Sequence, residues 1–286
     1  MSNGVEQQVP PASPADWIPL AVGIALFAWW LLNTSLGRTS LAQSRPRRNS
    51  MGLLLPFAML FMWMLTEWIL NGLVAQLTRH LNGPEAFFLI NAANLLGSLA
   101  IVALILFVAR IAFARGLKGF GLRIRTVPRD VAFAFLTLLG VWPLVMATMS
   151  LTVLIMRTLN PSFEVPQHEA LQVITESGSM PLQILMIVFA VIVAPVMEEM
   201  LFRGLFQTMI RSYLGRPWLA IVITSILFAR IHQNSSHWPA LFVLALGLGY
   251  SYEKSGSLLR SIFMHAMFNG ITIALALAES APALIT

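Results

Sequence analysis

Two adjacent carboxylates and an arginine, Glu198-Glu199-Met-Leu-Phe-Arg203, follow a run from Leu182 to Met197 that carries no charge. Two further pairs come later in apolar surroundings: Phe228-Ala-Arg-Ile-His232 and His265-Ala-Met-Phe-Asn269. Ionisable groups at bilayer depth are costly, so their presence marks a functional site by default. The residue types also form a coherent set. A carboxylate beside an imidazole suits general-base activation of water. An imidazole and a carboxamide both donate hydrogen bonds, which suits a carbonyl oxygen gaining negative charge.

Spacing ties these residues to one place. Leu214-Gly215-Arg216-Pro217 reads as a helical hairpin turn, with Gly ending one helix and Pro opening the next. Glu198 lies 17 residues before Gly215 and His232 lies 17 after it. At 1.5 Å per residue both fall about 25 Å from the turn, so Glu198 and His232 are expected at one level. Glu199 and Arg203 are i, i+4 neighbours and are expected to pair, whereas Glu198 points about 100° away and is available to act on water. His265 and Asn269 are likewise i, i+4 and can share a cavity. Each piece has a structural explanation alone: a Glu–Arg pair can glue helices, and a single buried His usually packs. Glu67 and Asn71 form another polar i, i+4 pair, expected to bind a neighbouring helix or line the same cavity. His168 and Glu169 are expected in a solvated loop. Arg230 and His237 flank the second motif and are expected at solvated helix ends.

The elements that must position this set are membrane helices. Hydrophobic residues make up 57% of the chain and charged residues 10%, against about 25% charged in a soluble domain. The fold class is therefore all-α, a polytopic bundle. Eight spans are expected at 17–33, 52–76, 86–113, 131–156, 182–210, 218–232, 238–252 and 258–278, judged against the roughly 20 apolar residues needed to cross a bilayer. Residues 1–16 read as a polar, Pro-rich disordered tail, and the flank of the first span lacks the basic start of a signal peptide. Residues 17–160 hold the first four spans, and 180–278 hold every motif. Gly247 and Gly249 read as close-approach residues between helices.

The net charge of +6 follows membrane topology and is no sign of nucleic-acid binding. Of the eighteen Lys and Arg, all but Arg79, Arg157 and Arg230 fall on one side of the span map or in the inner half of the fifth span. The positive-inside rule then puts both termini outside the cytoplasm. The basic loops are also suited to anionic lipid.

Competing chemistries leave no signature. The chain has no cysteine, which removes thiolate nucleophiles and disulfides. It lacks a Gly-x-Ser-Gly rhomboid motif, a Gly-x-Gly-Asp presenilin motif and a His-Glu-x-x-His zinc helix. Its only aspartates, Asp16 and Asp130, sit at membrane edges. A zinc ion held by Glu198 or Glu199 with His232 and His265 is chemically conceivable, but no metal or other cofactor is expected.

The order Glu-Glu-x-x-x-Arg, Phe-x-x-x-His, His-x-x-x-Asn resembles the CAAX protease and bacteriocin-processing family, also called Abi, which includes the type II CAAX prenyl endopeptidases. The resemblance covers about residues 180–275, and Gly204 and Leu248-Gly249 share it. It implies an eight-helix intramembrane glutamate-dependent endopeptidase. Glu198 and His232 would activate water, His265 and Asn269 would form the oxyanion site, and Glu199 and Arg203 would support them. The family was once considered metal-dependent.

The expected function is hydrolysis of a peptide bond in a membrane-associated, prenylated or exported peptide. The protein would be multi-pass in the plasma (inner) membrane, with a peptide or lipidated peptide and membrane lipid as partners and no nucleic acid. The charge map places the site toward the outer half of the membrane. Two other classes compete: a non-catalytic scaffold or bacteriocin-immunity protein that uses the polar cluster for binding, and a transporter with a carboxylate–histidine proton relay.

Overall fold

The computed structural model describes residues 18–35, 37–81, 83–165, 169–232 and 234–280. The expected tail at 1–16, His168 and the side chain of Glu169 lie outside the described residues.

Every expected span is a helix. They are α1 (Ile18–Asn33), α2 (Leu55–Leu77), α3 (Pro84–Ala112), α5 (Val127–Leu159), α7 (Met180–Leu214), α8 (Pro217–Arg230), α9 (Trp238–Ser255) and α10 (Leu258–Ser280), with short α4 (Gly116–Phe120) and α6 (Glu169–Glu176) in connections. Among the described residues, five are long and apolar enough to cross a membrane: α2, α3, α5, α7 and α10. The protein is thus a polytopic helical membrane protein. The sixth span ends two residues before its expected limit, because α8 has 14 residues and stops at Arg230. At 1.5 Å per residue α8 is about 21 Å long, less than the roughly 30 Å hydrocarbon core. It packs on the half of α7 that follows Glu199, so its far end stops within the bundle and places His232 there.

The four basic connections meet at one end. Arg47 donates to the Gly119 carbonyl at 2.9 Å, Arg211 to Ser44 at 3.3 Å and Lys254 to Ser40 at 2.5 Å. The Leu258 amide donates to Gly121 at 3.0 Å. Gly215 has φ +68°, the left-handed conformation that ends α7, and Pro217 opens α8. Asp130, buried at this end, accepts from Thr126 and Ser257 at 2.6 Å each and pairs with Arg260 at 3.4 Å. It ties α5 to the turn before α10.

α7 is the spine of the core. Its buried face, from Met197 through Ile210, packs against α2, α3, Phe120, Phe228 and Tyr252. Gly204 is required there, since a Cβ would stand 2.3 Å from the Phe120 ring. The other two glycines behave as expected. A Cβ on Gly247 would meet Val141 of α5 at 2.7 Å, and one on Gly249 would meet Gln207 at 2.8 Å.

α7 is not a uniform α-helix. It widens to π geometry over Phe189–Val193 and again over Met200–Gln207. Pro195 accounts for the first: it has no N–H, and its ring clashes with the carbonyl four residues back. The Ala194 N–H therefore reaches back to Phe189, five residues away. The Ala190 carbonyl loses Ala194 as a donor, and Pro195 has none to give.

Candidate active site

The polar set converges in the interior of the bundle. Glu199 and Arg203, 0% and 1% exposed, pair at 2.7 Å through Oε1 and Nη1. Arg203 also donates through Nη2 to the Ala245 carbonyl of α9 at 3.3 Å, and its guanidinium lies 4.5 Å over the Phe228 ring. Three helices are thereby locked to one cation. Desolvating these charges is costly, and the pairing, carbonyl and aromatic face answer it only in part, since Glu199 Oε2 and Arg203 Nε have no hydrogen-bond partner among the described residues.

His265 of α10 sits between the two glutamates. Its Nδ1 is 3.0 Å from Glu199 Oε1, and its Nε2 is 3.9 Å from Glu198 Oε2. A carboxylate only accepts, so Nδ1 carries the proton of the shorter contact and Nε2 is the nitrogen turned toward Glu198. Glu198 makes no hydrogen bond among the described residues, and its side chain is 14% exposed. It is the less constrained of the two carboxylates, as its direction on the helix predicts.

His232 joins the cluster indirectly. The structure shows no hydrogen bond between it and Glu198. Its Nδ1 donates to the Phe228 carbonyl at 2.8 Å, so Nε2 is the ring nitrogen left for another partner. Phe228 links the two histidines, its ring centroid 4.9 Å from His232 and 5.7 Å from His265. Trp238 pins the following loop by donating to the His232 carbonyl at 2.7 Å. The equal spacing about Gly215 thus brings Glu198 and His232 to the same cluster with Phe228 and His265 between them.

Asn269 donates to the Ala190 carbonyl at 2.8 Å. This is the carbonyl that the π turn at Pro195 leaves without a helical donor. One amide hydrogen of Asn269 is thereby used, and the carboxamide keeps a second N–H.

The other polar candidates divide. Glu67 accepts from Trp63 at 2.8 Å and Ser98 at 3.5 Å, and Asn71 accepts from Asn94 at 2.9 Å, so this pair binds α2 to α3. Arg230 stacks 4.0 Å over Trp238. His237 lies in the short turn Ser235–His237 before α9. Among the described residues, no group of three or more His, Cys, Asp or Glu side chains is arranged to hold a metal ion. The sequence did not reveal the contact between His265 and Glu199, nor Phe228 as the shared platform; the Phe of Phe-x-x-x-His was the available signal for the latter.

The depth differs from expectation. His265 is seven residues from the basic end of α10 and fifteen from the other. Glu198 lies near the midpoint of α7. The site therefore lies at the midpoint of α7 and in the basic-end third of α10, with no bias toward the non-basic end.

Fold and site together define a multi-pass membrane protein with a buried glutamate–histidine–arginine centre. Residues 180–271 match the family model described as type II CAAX prenyl endopeptidase Rce1-like, which bears out the resemblance carried by the three motifs. An Escherichia coli relative, described as an uncharacterized 24.3 kDa protein, is 32% identical over 111 residues. That alignment covers 37% of this chain and 51% of the relative, so the chain spans about half the length of the curated protein it matches. No solved structure matches the chain.

Proposed function

We propose that the protein is an intramembrane endopeptidase that hydrolyses a peptide bond in a membrane-associated, prenylated or exported peptide, with Glu198 as general base. The observation that carries this reading is His265 held between two carboxylates, 3.0 Å from buried Glu199 and 3.9 Å from the less constrained Glu198. Glu198 takes the proton of the attacking water and delivers it to the leaving amine as the C–N bond breaks, with His232 Nε2 as a second acceptor in the same cluster. His265, held by Glu199 at Nδ1, presents Nε2 on the Glu198 side and donates from it to the substrate. With the remaining N–H of Asn269 it forms a donor pair for the oxyanion of the tetrahedral intermediate. Glu199 and Arg203 act by orienting His265 and have no direct part in bond cleavage. Hydrolysis proceeds without a bound transition metal; the sequence has no established zinc spacing, and carboxylate with imidazole is sufficient to activate water.

The test is Glu198→Gln, which keeps size and polarity and removes the base. Membrane and secreted peptides from cells expressing wild type and Glu198→Gln are compared by mass spectrometry. The proposal expects at least one cleaved peptide to vanish and its precursor to accumulate. Identical peptide sets from equally folded proteins refute it and favour a binding role, the scaffold or immunity class. That second reading has its own observation: Asn269 is already bonded to Ala190 and His232 to Phe228, contacts that serve packing as well.

A further inference from the structure

We propose that the basic end of the protein carries a binding site for a phosphate-bearing headgroup, formed between the connection after α1 and the start of α8. A cavity of about 660 Å³ opens there, with Arg38, Arg211 and Arg216 on its wall beside Ser44, Trp218 and Leu219. The three arginines are not equivalent. Arg211 is 7% exposed and already neutralised by Glu253 at 3.1 Å, so it forms a fixed wall. Arg38 and Arg216 are exposed and make no ion pair among the described residues. Two cations from different segments thus face one cavity with no carboxylate to answer them.

Three further features point to an anion with a lipid tail. The Ser44 hydroxyl oxygen is buried and has no hydrogen-bond partner among the described residues, although Ser44 lines the cavity. The first turn of α8, Pro217 to Leu219, lines the same cavity, and of these Trp218 and Leu219 carry the helix-start N–H groups that favour phosphate. Beyond them, Leu219, Val222 and Ile226 form a stripe down α8. Leu219 and Ile226 are 41% and 49% exposed, so an acyl or prenyl chain has an apolar track leading away from the arginines. Trp218 fixes the corner, donating Nε1 to the Gly37 carbonyl at 3.0 Å and stacking on Tyr250 at 5.8 Å. The shared ligand chemistry is a phosphate mono- or diester held by two guanidinium groups. The site is separate from the glutamate–histidine centre and stands or falls independently of proteolysis.

Full-length protein is reconstituted in nanodiscs of phosphatidylcholine mixed with phosphatidylglycerol, and co-purifying lipid is measured by native mass spectrometry. The variants are Arg38→Gln, Arg216→Gln, the double variant, and a control with equal charge loss elsewhere on the basic face, Arg123→Gln/Arg125→Gln. Each pocket arginine is expected to contribute roughly fivefold, and the pair about thirtyfold, to phosphatidylglycerol retention. Phosphatidylcholine retention should not change, and the control should retain phosphatidylglycerol like wild type. A control that loses as much as the pocket variant, or no preference between the lipids, overturns the proposal, since diffuse surface charge then suffices. In a parallel arm, inorganic phosphate and glycerol phosphate are added. Displacement of the lipid by them assigns the pocket to a free phosphate compound, and resistance to them assigns it to a lipid headgroup.

Discussion

Replacing Arg203 by Met should leave the buried Glu199 without its guanidinium partner, with only the His265 Nδ1–H at 3.0 Å to answer it. Glu199 is fully buried, and Nη1 of Arg203 at 2.7 Å is its cationic partner. Its second oxygen, Oε2, already lacks a hydrogen bond. Loss of Arg203 also releases the Ala245 carbonyl and the face of Phe228. Breaking a buried pair from one side costs about 3–5 kcal/mol, a large share of a stability of about 5–15 kcal/mol. At about 2 °C per kcal/mol, Tm should fall by roughly 6–10 °C. The yield of monodisperse protein in detergent should fall with it. The double variant Glu199→Gln/Arg203→Met removes both charges and should recover much of the loss, because a neutral pair of similar volume is often well tolerated. Differential scanning fluorimetry of the three proteins checks this. An Arg203→Met protein that melts with wild type, or a double variant no more stable than the single, refutes the reasoning. If Arg203→Met folds normally yet abolishes turnover, Arg203 contacts the substrate itself.

Asn269→Leu should cost about 1–3 kcal/mol by stranding the Ala190 carbonyl, and the loss should shrink in a Pro195→Ala background, where the helix can return to a regular ladder; equal losses in both backgrounds would sever the link between Pro195 and Asn269. Elemental analysis of active purified protein should find no stoichiometric transition metal, whereas zinc lost together with activity would overturn metal-free hydrolysis. An orientation reporter fused after Thr286 should report the non-cytoplasmic side. A cytoplasmic signal would invert the map and place the basic loops outside.

The membrane helices and the Gly215–Pro217 hairpin were legible in the sequence, because apolar length and turn chemistry are local properties. The Glu199–Arg203 pair was legible for the same reason, both residues lying one turn apart on one helix. What escaped is tertiary. Four-residue periodicity groups His265 with Asn269, yet it cannot show that His265 meets Glu199 across the bundle while Asn269 turns to Ala190. The latter contact depends on the π turn forced by Pro195, a defect that shifts the register of carbonyls without altering the apolar pattern. The α8 boundary was also misplaced: Phe228-Ala-Arg-Ile-His232 continues the helical spacing, but α8 ends at Arg230 and His232 caps the Phe228 carbonyl. Depth was judged from loop charge alone, and the unequal lengths of α7, α8 and α10 moved the site toward the middle.

Once a substrate peptide is in hand, the deciding measurement is single-turnover cleavage by purified, reconstituted wild type and Glu198→Gln. Glu198 is 14% exposed at its side chain and its ion-pair distance to His265 is 3.9 Å, with no hydrogen bond among the described residues, so the variant should keep the wild-type Tm and bind the peptide. Loss of a general base should slow the chemical step by about 10²–10⁴-fold. Cleavage by Glu198→Gln at the wild-type rate would contradict a glutamate-dependent hydrolase.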